Sequence, residues 1–493
     1  MLKPKHSYSL VLVFLCTLLS CSTSQNNDEV NNPETEINPG ELEETELTIF
    51  FVNDQHGQLD NFSKIKHIVD NEKLTNKNVI LACSGDIFSG NPVVDFYSEK
   101  GYPMIDIMNQ VGFDIAVLGN HEYDYGESIL ADRIIQSEFD WICANVDMNN
   151  TGIPEPAEYS TIKLDNLNIT FLGLVETNGK ENGTIPSTHP DRVKNISFQR
   201  PENTVAKYAN IKETENSDLY IALTHLGNNG GSYYLGDKQL AEQFPYFDLI
   251  IGGHSHQQVN TLYNNIPVFQ SGSFLNHLGQ INITVKNKEI INIDYDLIDL
   301  NDYNEFDKTI KDKIDTYNNS SQLTDVIGVS NANHEIPNVG CMYTEILKKY
   351  GNVDIVIQNT GGIRNTLDKG DITKREIFEI DPFGNKFKII NMSVKDIKLF
   401  LKMTGDTFFY SGVKISQNQQ DIIISNLNGL KLEDNTILSL GINDYIPAVY
   451  DTYFKNTGIT QPLTTAESII DYLKNNQETT INYSDCVLYF RYQ

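Results

Sequence analysis

The sequence predicts an α/β protein with two domains on one chain, and three observations carry that expectation. Its 493 residues are 40% hydrophobic and 21% charged, an ordinary globular composition with enough chain for roughly two to four domains. From Leu47 to about Leu300, short apolar runs alternate with amphipathic segments, as in strands covered by helices. A polar stretch at 301–325 interrupts that pattern, which then resumes. This composition excludes a wholly disordered chain and a polytopic membrane protein. A formal net charge of −29 argues against a nucleic-acid polymer as partner.

The first twenty residues read as an address. Lys3 and Lys5 precede an apolar run, Val11 to Leu19, that has the length of a signal-peptide core and is too short for a membrane span. The run ends in Leu18-Leu19-Ser20-Cys21, which resembles a bacterial lipobox. Residues 1–20 are then a signal peptide, and Cys21 is the lipidated first residue of the mature chain. The alternative is a plain secretory signal cut near the same place. The expected location is the periplasm or cell surface, on a bacterial membrane held through the lipid anchor only. Residues 21–46 carry seven glutamates, Asp28, two prolines and no basic residue. Such a stretch cannot bury enough surface to offset its ordering entropy and reads as a self-repelling tether. Six cysteines are too few for a disulfide-stapled scaffold. Cys83, Cys143, Cys341 and Cys486 lie in or beside apolar runs and are expected to be buried thiols.

In residues 47–300 the strands are expected at Thr48–Val52, Val79–Cys83, Ile115–Leu118, Ile169–Val175, Leu219–Thr224 and Leu249–Ile251. Phe62, Ile65, Ile68 and Val69 share one helical face; Ile129, Leu130, Ile134 and Ile135 share another. Five strands run into clusters of Asp, Asn, Gly or His. These are Asn53-Asp54-Gln55-His56-Gly57, Ser84-Gly85-Asp86, Gly119-Asn120-His121-Glu122-Tyr123-Asp124, His225, and Gly252-Gly253-His254-Ser255-His256. Sites in layered α/β folds gather at the carboxyl ends of strands. One Asp-x-His is an ordinary turn; five such ends in succession point to a shared site. Oxygen and imidazole donors without a thiolate suit Mn, Fe, Zn or Mg.

This ordered set resembles the calcineurin-like metallophosphoesterases, and within them the 5′-nucleotidase/UDP-sugar hydrolase family, over about residues 47–460. The resemblance implies a four-layer α/β/β/α first domain followed by a smaller α/β substrate-binding domain. It implies two divalent metal ions, of Mn, Zn, Fe, Mg or Ca. Asp54, His56 and His256 would hold one; Asn120, His225 and His254 the other; Asp86 would bridge them. His121 and Asp124 would form the catalytic dyad, with His121 stabilising charge on the phosphoryl group and Asp124 orienting its ring. The alternative for His121 is a spacer outside the ligand set. Two ions ~3.5–4 Å apart can polarise one shared water into a nucleophile and clamp the oxygens of the displacement. The acidic surface does not forbid an anionic substrate, because screening removes its field beyond ~8 Å while two divalent ions act at contact.

Residues 301–325 carry Phe306, Ile310 and Ile314 at helical spacing and are expected to form a linker helix with a hinge. Residues 326–493 form the second domain, with apolar runs at Asp354–Ile357 and Phe387–Asn391 and helical patterns at Val339–Tyr350, Val394–Met403 and Ala466–Leu473. Asn359-Thr360-Gly361-Gly362-Ile363-Arg364, Asp381-Pro382-Phe383-Gly384-Asn385 and Asn443-Asp444-Tyr445 resemble the family's C-terminal motifs. The resemblance implies that Phe383 and Tyr445 stack on a base, that Asn359 and Arg364 make polar contacts, and that Asp451 meets the ribose. Ordinary packing is the alternative for the two aromatic residues. Where the family has a Gly-Gly-Asp-Gly turn this chain reads Ala448-Val449-Tyr450-Asp451-Thr452, and Glu335-Ile336 stand where an Arg is usual.

The expected function is an exported hydrolase that removes phosphate from nucleoside 5′-monophosphates or similar small esters. The alternatives are a phosphodiesterase or pyrophosphatase acting on 2′,3′-cyclic nucleotides or UDP-sugars, and a non-catalytic binding lipoprotein.

Overall fold

The computed structural model describes residues 44–180, 183–230, 234–319, 323–419, 421–455, 458–475 and 480–492. The leader, Cys21 and the tether up to residue 43 lie outside the described residues. The first strand, Thr45–Val52, begins before its apolar run. Thr45 and Glu46, which composition assigns to the tether, pair with Val285 and Thr284 of an antiparallel neighbour. A partner so far away in sequence leaves no mark on local composition.

One six-stranded sheet has the spatial order Glu289–Asp299, His277–Lys286, Thr45–Val52, Val79–Cys83, Ile115–Val117 and Asp140–Ile142. Its last four strands are parallel. A second sheet runs Gln258–Tyr263, Ile266–Ser271, Leu249–Ile251, Leu219–His225, Asn168–Val175 and Tyr159–Lys163. Its inner four strands are parallel, with an antiparallel strand at each edge.

The period-two alternation of strand side chains divides each sheet between two cores. Ile49, Phe51, Ile80 and Val117 meet Phe171, Ile221, Leu223 and Ile251 of the other sheet. Phe50, Val52, Leu81 and Cys83 face outward, under helices Phe62–Lys73 and Tyr102–Val111. On the far side Leu172, Leu174, Tyr220 and Ile250 are covered by Val205, Tyr208 and helix Asp237–Gln243. The result is the expected four layers. Burial on both faces is why these strands read as continuous apolar runs.

Two local readings are corrected. Ile135 lies outside the helical face assigned to it and is 70% exposed; Arg133 takes the inward position, its guanidinium donating to the carbonyls of Glu99 and Lys100. Within the segment 301–325, the helix spans only Lys308–Asn318, leaves Phe306 outside it, and packs on the first domain. Ile310 and Ile314 are buried in the core that holds Phe62–Lys73 and Tyr102–Val111, Asp307 caps its start, and Tyr317 Oη donates to Asp106 at 2.5 Å.

The second domain is built on a six-stranded sheet ordered Ile459–Thr464, Lys386–Ser393, Ile437–Asn443, Ile355–Asn359, Thr407–Ser411 and Tyr489–Arg491. Ile355, Ile357, Phe408, Leu440 and Ile442 pack on helix Val394–Thr404 from one face. Val356, Phe387 and Phe409 pack from the other on Met342, Tyr343 and Ile346 of helix Ile336–Gly351. Among the described residues no helix is long and apolar enough to cross a membrane.

Of the four cysteines expected as thiols, Cys83 and Cys143 are free and buried. Cys341 and Cys486 instead form a disulfide across 145 residues, with Cα atoms 5.9 Å apart. The C-terminal tail returns along helix Ile336–Gly351, where Asn338 Nδ2 donates to the carbonyls of Ser484 and Cys486. Spacing alone does not reveal that return. Closing so long a loop restricts the unfolded chain and stabilises the fold by ~2–5 kcal/mol. Cys486→Ser is therefore expected to lower the thermal midpoint by roughly 5–15 °C in scanning calorimetry. An unchanged midpoint would show that the tail is held without the bond.

Candidate active site

The strand-end clusters of both sheets converge at one edge of the sandwich. Five of the residues brought there hold a left-handed backbone that side chains rarely adopt: Asp54 (φ 51°), His56 (49°), Asp86 (56°), His254 (78°) and His256 (55°). Each such residue costs ~1–3 kcal/mol and persists only where its surroundings over-determine it. Here Asp54 N and His56 N donate to the carbonyls of Gly85 and Asp86, both at 3.0 Å. The buried Glu122 carboxylate accepts N–H bonds from Asp86, Ile87 and Gly119 and so staples two strand ends together. Gly119 is required by close approach: a Cβ there would collide with Asp86 Oδ1.

Three overlapping groups of donor atoms result: Asp54, His56 and His256; His56, Asp86 and His121; Asp86, His225 and His254. Within each group the atoms lie within 4.8 Å of one another. His256 Nε2 is 3.4 Å from Asp54 Oδ1 and 2.9 Å from His56 Nε2. His225 Nε2 is 3.0 Å from Asp86 Oδ2 and 3.9 Å from Asp54 Oδ1. Asn120 donates through Nδ2 to the Ser187 carbonyl and turns Oδ1 toward His254 Nδ1, 2.9 Å away. The carbonyls of Ser89 and Ser84 accept from Nδ1 of His56 and His225, leaving each Nε2 aimed into the cluster.

The donor set fits a pair of divalent cations. His225 Nε2 is fully buried and makes no hydrogen bond despite its nearness to Asp86. His56 and His256 set two imidazole nitrogens face to face, which a shared proton or a cation must reconcile. Without a cation, protons take that part. Burial opposes a charged His225, yet the Asp86 and Asp54 carboxylates outweigh it and push its pKa up to about 10. Burial acts against the Asp86 carboxylate too, but His225 and His121 hold it well below the usual range. Burial, with the positive charge of Arg364, drives His56 down and His256 down to about 4. Neutral imidazoles are the form that binds metal.

His121 follows Asn120 on a short helical turn. Its Nδ1 donates to Asp124 Oδ2 at 2.7 Å, and its backbone N–H donates to Asp86 Oδ1 at 2.8 Å. Burial disfavours its cation, but Asp86 and Asp124 more than compensate and raise its pKa. Its Nε2 lies 3.9 Å from Asp86 Oδ2.

A cavity of about 220 Å³ opens beside the cluster. The first domain lines it with Asp86, His121, Asp124 and His254, the second with Asn359, Arg364, Phe383 and Tyr445. Arg364 stands 3.5 Å from His56 Nε2 with its guanidinium 5.8 Å from the Phe383 ring centre. The Phe383 ring stacks at 5.8 Å on that of His121. Asn443 donates to Asn359 Oδ1 at 2.8 Å, which fixes that amide. Asp451 is not brought to this cavity: its side chain is 66% exposed and pairs with Lys180 at 3.0 Å. Ser187, Thr188, His189, Arg192 and Asn385 line the cavity and were missed. Asn385 lies inside the Pro-Phe-Gly turn that sequence reasoning quotes; the other four sit in a loop with no periodicity or motif to mark them.

Comparison with known proteins accords with this geometry. Residues 47–258 match the calcineurin-like phosphoesterase family, and residues 317–455 match the 5′-nucleotidase C-terminal domain. The trifunctional nucleotide phosphoesterase protein YfkN of Bacillus subtilis is 28% identical over 409 residues, 72% of this chain but 27% of that protein. A 5′-nucleotidase of Vibrio parahaemolyticus is 24% identical over 520 residues, covering 88% of this chain and 90% of its own length. The 5′-nucleotidase precursor from Thermus thermophilus shares the fold, with a TM-score of 0.76 at 20% identity over 89% of this chain and 97% of that one. A sandwich with Asp and His donors gathered at its strand ends defines a metallophosphoesterase, an enzyme class that works with two divalent metal ions. With its second domain, the chain belongs to the calcineurin-like phosphoesterases that carry a 5′-nucleotidase C-terminal domain.

Proposed function

We propose that this protein is an exported lipoprotein that hydrolyses nucleoside 5′-monophosphates or similar small phosphate monoesters. One observation carries the reading: Asp86, Asn120, His254 and His256 of the donor cluster, the His121–Asp124 pair, Arg364 and two aromatic rings all line one cavity. Asp54, His56 and His256 would hold one divalent ion, Asn120, His225 and His254 the other, and Asp86 both. Two such ions supply a polarised water and positive charge for the phosphoryl oxygens. Arg364 binds the phosphate as a fixed planar cation. His121 stabilises the charge that spreads over the phosphoryl group, and Asp124 holds its ring in place. Phe383 and Tyr445 grip the base, with Asn359 as a polar contact, while the ribose goes without Asp451.

The disulfide supports the export half of this reading, because such bonds persist in oxidising compartments. Lipidation at Cys21 then leaves the enzyme anchored at the periplasmic or outer surface, which mass spectrometry of the mature N-terminus tests directly. The acidic chain suits a small substrate, not a nucleic-acid polymer.

A specific feature favours a second reading, hydrolysis of nucleotide sugars or other pyrophosphates. A further cavity of about 370 Å³ shares Asn359, Gly361 and Tyr445 with the first and extends past them to Asp406, Tyr450 and Arg491. Product analysis with the metal-loaded mature protein separates the readings: a monoesterase frees phosphate from AMP and glycerol 2-phosphate, whereas the second reading expects UMP and glucose 1-phosphate from UDP-glucose, or a nucleoside monophosphate from 2′,3′-cyclic AMP. No hydrolysis of any of the four sinks the catalytic proposal.

Phe383→Ala sharpens the test. A base stacked on a ring gains ~1–3 kcal/mol, so the variant is expected to lose roughly 5–150-fold in kcat/KM on AMP. Glycerol 2-phosphate, which has no base, is expected to change less than about threefold. Equal losses on both would reduce Phe383 to a packing residue.

A further inference from the structure

Arg192 occupies the end of a short helical turn, Pro190–Arg192, in the loop that follows strand Asn168–Val175. Its guanidinium reaches both domains. Nη1 stands 3.4 Å from Asp124 Oδ1, while Nη2 donates to the Phe383 carbonyl at 2.5 Å and lies 3.3 Å from Asn385 Oδ1. Thr188 Oγ1 donates to the same Asp124 oxygen at 2.9 Å. The other oxygen, Oδ2, accepts a hydrogen bond from His121 Nδ1–H. Both oxygens of Asp124 are thus committed, one to the imidazole and one to the Thr188–Arg192 loop.

We infer that Arg192 is a positioning residue that ties the orientation of His121 to the seating of the Phe383–Asn385 turn; the inference rests on the proposed roles of His121 and Asp124. A guanidinium is planar and rigid, so its two ends cannot move independently. Phe383 offers its carbonyl to Arg192 and its ring to the cavity. A base settling on that ring fixes the turn, the turn fixes the guanidinium, and the guanidinium with Thr188 fixes Asp124. Substrate binding in the second domain is thereby read by the dyad in the first. Lysine could hold Asp124 or the turn but has no fork to hold both.

The test uses the metal-loaded mature protein with AMP, or whichever monoester the wild type turns over. Wild-type turnover is measured first and tests the underlying reading by itself. Arg192→Met is expected to lower kcat about tenfold or more with both metal ions retained, and Arg192→Lys to stay nearer to Arg192→Met than to wild type. In an Asp124→Asn background, Arg192→Met is expected to remove less than a further twofold, since the group it acts through is already gone. A kcat within twofold of wild type with only KM raised would make Arg192 a simple wall of the cavity and overturn the proposal. A full tenfold loss persisting in the Asp124→Asn background, or complete rescue by lysine, would overturn it as well. Should Arg192→Met fail to fold, Asn385→Ala loosens the same guanidinium from the other domain. A loss of about threefold in kcat, absent in the Asp124→Asn background, supports the proposal; a change in KM alone refutes it.

Discussion

The His121→Ala protein is expected to keep its metal ions and to lose roughly 10²–10⁴-fold in kcat. The imidazole lines the cavity and is held by its protein neighbours. Its Nδ1 is taken by Asp124 at 2.7 Å, and its ring is clasped between His56, edge-on at 5.0 Å, and Phe383, stacked at 5.8 Å. The backbone N–H on Asp86 survives the substitution, so the ligand geometry of Asp86 is preserved. The contrary outcome is a real one, because His121 also falls within 4.8 Å of donors on His56 and Asp86. Metal analysis alongside steady-state kinetics decides between them. A variant that loses metal in step with activity identifies His121 as a ligand and removes the dyad from the mechanism.

How the sequence announces this site follows from which constraints are local. The strands ending at Val52, Cys83, Val117 and Ile251 are legible because burial on both faces makes them continuous apolar runs closed by Asp, Gly or His. Convergence of those ends follows from parallel pairing, which sets the carboxyl ends of neighbouring strands side by side. The family resemblance adds the division of donors between two ions, which composition and spacing cannot supply. What stays hidden is long-range or conformational. The left-handed backbone at Asp54, His56, Asp86, His254 and His256 is only weakly marked by residue type, since Asp and His adopt it more often than most side chains yet still uncommonly. The Cys341–Cys486 bond needs the tail to double back over a distant helix. Arg192 is one of several basic residues in a loop, with Lys180 and Lys194, and only the docking of the second domain gives it partners on both sides. Asp451 shows the opposite case: its place in the sequence suits the family's ribose contact, while its side chain in the structure pairs with Lys180.

Asp86→Asn is expected to have the largest effect of all, because one carboxylate serves both halves of the donor cluster. Its Oδ2 faces His225 at 3.0 Å and His121 at 3.9 Å, and its Oδ1 accepts the His121 backbone N–H. Asparagine preserves shape and can still accept that bond, so the fold is expected to survive. It removes a full negative charge from the point where two cations would meet, and at such short range in a buried site that charge is worth several kcal/mol. The variant is expected to bind at most one ion per molecule by elemental analysis and to lose at least about 10⁴-fold in kcat. The site also carries a pH signature. With the His225 pKa pushed up to about 10 by Asp86 and Asp54, His225 carries a proton at neutral pH that an incoming ion must expel. Metal affinity of the wild type should therefore fall as pH falls, by roughly tenfold per unit for each proton expelled, and binding should release protons measurable in two buffers of different ionisation enthalpy. In Asp86→Asn the larger of the two charges that hold this proton is gone and Asp54 alone remains, so proton release on binding should shrink together with affinity. Adding Mn²⁺ or Zn²⁺ should raise the thermal midpoint of the wild type, and chelation should reverse the gain; neither should move the variant comparably. A variant that keeps two ions and near-normal turnover would show that Asp86 bridges nothing, and the dinuclear assignment would have to be drawn around other residues.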